Sequence, residues 1–188
     1  MEHATAIIMA GGESSRMKTD KSNLPINGQP MIVHVLDQLR PHFDHILISA
    51  KDVHAYAFPG VEVIADKVPG QGPLMGIVSA IKASVHDLNF VQACDIPNTD
   101  IALVKRMLQC APGYDAVTPR NPDGQCEPLF AVYHKSVLKV MEDMLKRGQR
   151  SVHKVFDLCN ACYVDLETNE EIPNLNTMPE YKNFIREK

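Results

Sequence analysis

Short apolar segments alternate with longer amphipathic ones along the whole chain, and this alternation limits the fold more than any other feature. Runs of four or five mostly apolar residues are typical of strands that are buried on both sides. The longer segments repeat apolar residues at helical spacing, as expected of helices that cover a sheet. Strands that alternate with helices form a mainly parallel sheet with helices on both faces. We therefore predict a three-layer α/β fold.

The sequence also predicts where each element lies. Strands are predicted at residues 5–9, 45–49, 61–65, 90–93, 115–118, 129–133 and 163–166. Helices are predicted after Pro30, at residues 74–84, 100–109, 136–147 and 151–158, and from Pro179 onward. Asp100 is a candidate N-cap, and Gly148 is a candidate helix stop. No linker composition or internal repeat divides the chain, so residues 1–188 are expected to form a single domain.

Composition and charge argue against several classes of protein. The net charge of −4 disfavours a general nucleic-acid binder, whose domain is usually basic. The apolar run that ends at Ala10 is too short for a signal peptide or a membrane span, so we expect a cytoplasmic protein. Five cysteines, an odd and unclustered number, fit a reducing compartment. The lone CxxC of Cys159 and Cys162 lacks the second pair that a zinc site needs.

Three predicted strands end in polar residues, and ligands of open α/β sheets bind outside the carboxyl ends of the strands. The first of these ends is the loop from Gly11 to Lys21. Gly11 and Gly12 allow a tight turn whose N–H groups can line an anion-binding hollow. Arg16 can grip phosphate oxygens in a bidentate way, and Lys21 adds a point charge. We expect this loop to bind phosphate, although its spacing fits neither Walker A nor GxGxxG.

The other two strand ends carry carboxylates. Asp95 ends the fourth predicted strand, shortly before Pro97, and would point into the same crevice as the first loop. Mg²⁺ takes one or two carboxylates plus phosphate oxygens, so Asp95 is a candidate metal ligand, with turn capping as the alternative. Asp66 follows the third strand and precedes a Gly/Pro loop that opens a helix. It is expected to accept hydrogen bonds from a ribose or a base, with a solvated loop carboxylate as the alternative.

The first loop resembles the signature Leu-Ala-Gly-Gly-x-Ser-x-Arg-Met-Gly-x-Asp-Lys of the molybdenum cofactor guanylyltransferases, a family within the NTP-transferase superfamily. Later segments are similar to that family in the same order: Gly72-Pro73-Leu74-Met75-Gly76, Cys94-Asp95-Ile96-Pro97, residues 128–133 and Asn174-Leu175-Asn176-Thr177. The resemblance covers nearly the whole chain. It implies a Rossmann-like nucleotidyltransferase fold. It also implies Mg²⁺-dependent transfer of GMP from GTP to the terminal phosphate of molybdopterin, with release of pyrophosphate.

The resemblance implies a role for each candidate site residue. Lys21 would meet the phosphates of GTP, Asp66 would hold the guanosine portion, and Asp95 would bind Mg²⁺. Backbone contacts with the nucleotide would come from Met9, Ala10, Gly11 and Gly12. Asn174 and Asn176 would lie on the molybdopterin side, with turn-forming residues near a strand end as the alternative.

The proposed chemistry needs few special groups. In-line displacement by a phosphate that is already an anion requires no side-chain nucleophile. Catalysis would then consist of positioning and charge neutralisation. Arg16, Lys21 and Asp95 are the catalytic candidates, the first two for the phosphates and the third for Mg²⁺.

Two positions depart from the family pattern. Lys18 replaces the Gly that usually follows Arg-Met, and Lys51 stands where the family has a guanine-reading Asn. A lysine side chain only donates hydrogen bonds, so the choice between guanine and cytosine stays open at this point.

Other functions also stay open on the sequence. One alternative is a cytidylyltransferase or a sugar-phosphate nucleotidyltransferase that uses the same loop. Another is a non-catalytic nucleotide- or cofactor-binding module that delivers the cofactor, although Arg16, Lys21 and Asp95 favour an enzyme. The expected partners are GTP and molybdopterin, with transient contact with molybdoenzymes or other cofactor-biosynthesis proteins. Neither a nucleic acid nor a membrane is expected.

Overall fold

The computed structural model describes residues 2–10, 21–66, 68, 70–167 and 170–186. The strands in this part of the chain are β1 (Glu2–Ala10), β2 (Pro25–Ile26), β3 (Gln29–Pro30), β4 (Phe43–Ala50), β5 (Glu62–Ala65), β6 (Leu88–Ala93), β7 (Ala116–Arg120), β8 (Phe130–His134) and β9 (Ala161–Asp165). The α-helices are α1 (Met31–Leu39), α2 (Pro73–Ala83), α3 (Ile101–Cys110), α4 (Leu138–Lys146), α5 (His153–Phe156) and α6 (Met178–Arg186). A 3-10 turn at Lys21–Asn23 precedes β2.

Seven strands form one sheet in the order β5-β4-β1-β6-β8-β7-β9. The first four lie parallel to one another, and β7 lies parallel to β9. Strand β8 runs antiparallel to both of its neighbours, β6 and β7. The predicted mainly parallel sheet is confirmed. Strand β8 is reversed because only a loop, with no helix, connects it to β7, and antiparallel strands can be joined without a crossover.

Helices cover both faces of the sheet, as the three-layer prediction requires. Alternate side chains of β1 point to opposite faces, since the side-chain period of a strand is two. Ala6 and Ile8 pack with the buried residues of α1 and α3, whereas Ile7 packs with those of α2 and α4. Strand β1 is therefore buried on both sides, which explains its nearly unbroken apolar run.

Local sequence signals account for two details of the structure. The Asp100 side chain accepts a hydrogen bond from the Leu103 N–H at 3.0 Å and caps α3, as predicted. The small β2–β3 hairpin was not predicted. Its turn contains Asn27 and Gly28, both at positive φ, and Asn-Gly is the pair that favours such two-residue turns.

No helix in the part of the chain that the structure describes is long and apolar enough to span a membrane.

Candidate active site

One edge of the sheet gathers most of the predicted site residues. The carboxyl ends of β1, β4, β5 and β6 lie there because these four strands are parallel. Met9 and Ala10 end β1, Lys51 follows β4, Asp66 follows β5, and Asp95 follows β6. This edge is called the carboxyl edge below.

Lys21, Asp95 and Asn176 meet at the carboxyl edge. The Lys21 Nζ donates a hydrogen bond to Asp95 Oδ2 at 2.8 Å and to Asn176 Oδ1 at 3.3 Å. The side chains of Lys21 and Asp95 are only 17% and 22% exposed, so solvent weakens their ion pair less than a surface pair. Residues from three distant parts of the chain therefore converge on one cation.

Backbone hydrogen bonds fix Asp95 in this position. The Cys94 N–H donates to the Met9 carbonyl at 3.0 Å, which ties the end of β6 to the end of β1. The Leu175 N–H donates to the Asp95 carbonyl at 2.8 Å, so the segment that carries Asn176 is attached directly to Asp95. This hydrogen bond between the two segments places Asn176 beside Lys21.

A cavity of about 450 Å³ opens at the N-terminus of α2 and is called the α2 cavity. Its lining includes Met9, Ser49, Lys51, Asp66, Gly72 and Arg150. Burial raises the pKa of the Asp66 carboxyl, and the Lys51 ammonium lowers it by a smaller amount. Among the described residues, the cavity therefore offers one carboxylate and two cationic side chains to a ligand.

Glycines and an arginine shape the α2 cavity. Gly72 precedes α2 with a φ of 76° and a ψ of −173°, a conformation available essentially only to glycine. A Cβ on Gly76 would lie 2.7 Å from Ser49 Oγ and 2.8 Å from Met9 Cε, so a side chain there would crowd the cavity. The Arg150 guanidinium donates to the Gly70 carbonyl at 3.1 Å and closes one side.

A second cavity, of about 770 Å³, lies farther along the same edge, between the end of β7 and the start of β8. It is called the β8 groove. Arg120, Glu127, His153, Phe156 and Tyr163 contribute to its lining. Arg150 lines the α2 cavity and His153 lines the β8 groove, so one short segment of the chain borders both cavities.

Comparisons with known proteins agree with this geometry. Residues 6–161 match the family model described as the MobA-like NTP transferase domain. The chain belongs to this family. It is 34% identical to the molybdenum cofactor guanylyltransferase of Vibrio cholerae, over 95% of this chain and 89% of that protein.

Two solved structures show the same fold as this MobA-like chain. The molybdopterin-guanine dinucleotide biosynthesis protein A of Archaeoglobus fulgidus has a TM-score of 0.83 and 23% identity, with 97% of each chain covered. A Mycobacterium tuberculosis protein determined in complex with manganese has a TM-score of 0.75 and 15% identity, with 98% of this chain and 99% of that one covered. The Rossmann-like nucleotidyltransferase fold is thereby confirmed.

The structure describes only some of the predicted site residues of this MobA-like domain. Gly11, Gly12 and Arg16 lie outside the described residues. Asn174 is half-buried next to Leu175, and its Oδ1 is buried without a hydrogen-bond partner among the described residues. Asn176, which was expected on the acceptor side, contacts the Lys21 ammonium.

Sequence reasoning missed Arg150 and Glu127. Arg150 follows the helix stop at Gly148, where a basic residue is common, so its sequence position gave no signal. Glu127 precedes the Pro128 segment that was already part of the family resemblance, and a carboxylate two residues before a predicted strand was the one available signal.

The MobA-like site has a donor set that fits a hard divalent cation. Asp95 Oδ2 and Asn176 Oδ1 both approach the Lys21 ammonium, so two hard oxygens already share one positive charge. No group of three or more His, Cys, Asp or Glu side chains in the described ranges could hold a metal ion. An ion such as Mg²⁺ needs only one or two protein carboxylates, because phosphates and water complete its coordination.

Proposed function

We propose that this protein transfers GMP from GTP to the terminal phosphate of molybdopterin, with Mg²⁺, and releases pyrophosphate. The observation that carries the proposal is the convergence of Lys21, Asp95 and Asn176 at the carboxyl edge. Family membership and the activity named for the Vibrio cholerae relative support the choice of reaction. Residues 1–188 would act as a single nucleotidyltransferase domain.

The α2 cavity suits the nucleoside part of GTP. Asp66 would accept hydrogen bonds from the guanosine, and Lys51 would donate to the acceptor atoms of guanine, which has O6 and N7 on one edge. The backbone of Met9 and Ala10 ends β1 at this cavity, and Gly11 and Gly12 of the same loop would continue the contacts toward the phosphates. A lysine at position 51 is thus compatible with guanine when Asp66 supplies the acceptor.

The phosphates would lie beside Lys21. Its ammonium, now paired with Asp95, would instead contact phosphate oxygens and offset the charge that develops on the leaving pyrophosphate. Arg16, on the same loop, would add a bidentate contact. Asp95, with Asn176 beside it, would hold the divalent cation. When bound, such a cation neutralises phosphate charge and aligns the attacking and leaving oxygens.

The acceptor would enter from the side of Asn174 and Asn176. Its terminal phosphate is already an anion, so the protein needs to position it rather than to deprotonate it. Asn174 is half-buried at this side, next to Leu175, whose N–H donates to the Asp95 carbonyl. No covalent intermediate on the protein is required.

A panel of nucleotides and acceptors tests the proposal. The protein is incubated with Mg²⁺ and GTP, CTP, UTP or ATP, with either molybdopterin or glucose 1-phosphate as acceptor, and products are identified by mass. We expect the guanine dinucleotide and pyrophosphate with GTP and molybdopterin. A cytosine dinucleotide or a nucleotide sugar as the main product would favour the rival transferases. Nucleotide binding without any product would favour the delivery module.

We further propose that the reaction takes place in the cytoplasm and that the product passes by transient contact to molybdoenzymes or other cofactor-biosynthesis proteins. The support is the nature of the two substrates, both small anions. Cell fractionation with the tagged full-length protein, followed by crosslinking, tests this. Recovery in the membrane fraction, or crosslinks to no protein of that kind, would count against it.

A further inference from the structure

The β8 groove has no role in the nucleotide half of the proposed reaction, yet it lies at the same sheet edge. The end of β7 and the start of β8 flank it, and both lie at the carboxyl edge because β8 is antiparallel to β6 and β7. In the sheet order, the reaction centre after β6 separates the groove from β4 and β5, whose ends line the α2 cavity. The two cavities therefore flank Lys21 and Asp95.

Glu127 is a half-buried carboxyl that faces this groove. Its Oε1 accepts a hydrogen bond from the Leu129 N–H at 3.2 Å, and no cationic side chain among the described residues forms an ion pair with it. Burial raises the pKa of Glu127 and the charge of Asp95 raises it further, whereas the Leu129 N–H and His153 lower it. A half-buried carboxyl with spare lone pairs favours a ligand that brings hydrogen-bond donors.

Flat groups form another side of the groove. The Arg120 guanidinium lies over the Tyr163 ring, 5.3 Å from its centroid, and donates to Asp165 at 2.7 Å. Tyr163 is 38% exposed, so part of its surface remains open to a ligand. Phe156 adds an apolar surface. Planar faces of this kind suit a flat heteroaromatic ring.

We propose that the β8 groove binds the heteroaromatic ring of the acceptor and that Glu127 accepts hydrogen bonds from the amino group and the adjacent ring N–H of that ring. This inference rests on the proposed function, in which the acceptor is a pterin. A pterin carries a 2-amino group beside the N3–H, two donors that match the two oxygens of one carboxylate. Guanosine on one side and the pterin on the other would bring the two phosphate groups together at Lys21.

The match predicts a sharp preference between two small probes. Pterin has the 2-amino group, which can donate to the Glu127 carboxylate. Lumazine has a carbonyl oxygen in its place, and this oxygen would be repelled by the carboxylate oxygens. Binding of each probe to the full-length protein is measured by fluorescence titration, without GTP. We expect pterin to bind at least about tenfold more tightly than lumazine, in the range of a paired hydrogen bond to a heterocycle edge.

Glu127→Gln is the test variant, because the amide keeps the size of the side chain and an oxygen for the Leu129 N–H. It should reduce the pterin-to-lumazine ratio to about twofold or less, since one acceptor becomes a donor. Asp143→Asn, at an exposed carboxylate of α4 outside the groove, is the control and should keep the wild-type ratio. Circular dichroism and thermal melting check that both variants fold.

Kinetics with GTP and molybdopterin separate this inference from the proposed function. Glu127→Gln should raise the KM for molybdopterin by about tenfold or more and leave the KM for GTP unchanged. The inference is wrong if pterin and lumazine bind equally to wild type, if neither binds, or if the variant keeps the wild-type ratio. The proposed function fails instead if wild type makes no dinucleotide, whatever the probes do.

Discussion

The two edges of the sheet differ in how their polar side chains are paired, although both have cavities. The amino edge, where the parallel strands β1, β4, β5 and β6 begin, has a cavity of about 700 Å³ lined in part by His3, His86, Tyr114 and His134. The α2 cavity at the carboxyl edge is smaller, at about 450 Å³. Because the β8 groove at the carboxyl edge reaches about 770 Å³, cavity size does not separate the two edges. The difference lies in pairing, since at the amino edge no strand-end carboxylate meets a lysine among the described residues.

The polar groups of the amino edge pair mainly with one another. Thr5 Oγ1 lies 3.0 Å from His45 Nδ1 and 3.1 Å from His86 Nδ1, and Ser136 donates to Asp115. At the carboxyl edge, the Lys21 ammonium contacts two acceptors that a cation could take over. Polar groups that can change partners mark a reaction site, whereas mutually satisfied groups mark structure.

The largest expected effect comes from Asp95, the carboxylate at the proposed reaction centre. Asp95→Asn should lower kcat for GMP transfer by about 10² to 10³, because one preorganised charge contact is lost. Thermal stability should fall only slightly, because the asparagine keeps an acceptor for the Lys21 ammonium and the backbone contacts of Asp95 do not need its charge. Steady-state kinetics and calorimetry measure the two quantities.

Asp100→Ala is the control for that variant, because Asp100 is also an aspartate of the loop after β6. It should lower stability by about 1 kcal/mol through loss of the α3 cap and leave kcat nearly unchanged. If the two variants lowered kcat equally, the proposal that Asp95 acts in the reaction and Asp100 only stabilises the fold would be wrong.

A smaller effect is expected from closing the α2 cavity. In Gly76→Ala the new Cβ would crowd Ser49 and Met9, and overpacking of this kind should raise the KM for GTP by about tenfold. Gly113→Ala, at the amino edge, meets no atom within 4 Å but has a φ of 85°. It should lower stability by about 1 kcal/mol without changing the KM. An unchanged KM for GTP in Gly76→Ala would show that the nucleoside does not bind in this cavity.

The smallest expected effect is the pH dependence of stability caused by His45 at the amino edge. Burial lowers the pKa of His45 below its ordinary 6.5, and His86 lowers it further, while Glu62 and Asp44 raise it. The unfolded chain therefore binds this proton more readily, so stability is complete above 6.5 and declines as the pH falls toward the folded pKa. Thermal melts between about pH 7.5 and 5.5 should show a larger loss for wild type than for His45→Gln. An equal loss in both proteins would contradict the pH effect assigned to His45.

Much of the fold follows from local sequence. Each strand of the seven-stranded sheet and each longer helix was predicted within a few residues, because runs buried on both faces and amphipathic faces leave strong periodic patterns. The reversal of β8 was not predicted, because strand direction depends on what connects β7 to β8 and not on β8 itself. The β2–β3 hairpin was missed even though its Asn27-Gly28 turn was visible in the sequence.

The candidate site could be predicted from the sequence less completely than the fold. Asp66 and Asp95 could be found because strand ends of a parallel sheet meet at one edge. The contact between Lys21 and Asn176 could not be predicted, since it joins residues 155 positions apart. It depends on the backbone hydrogen bond from Leu175 to Asp95. Arg150 precedes α5 and Glu127 precedes β8, and the packing of these elements places both residues at their cavities. The sequence carries only a weak local signal for Glu127 and none for Arg150.

The most direct test of the central claim is a crystal structure of the protein with Mn²⁺ and the non-hydrolysable analogue GMPCPP. Anomalous scattering would locate the metal. The account predicts a manganese ion on the Asp95 carboxylate near Asn176, phosphates beside Lys21, and the guanosine in the α2 cavity. A nucleotide bound at the amino edge, or a metal held away from Asp95, would contradict it.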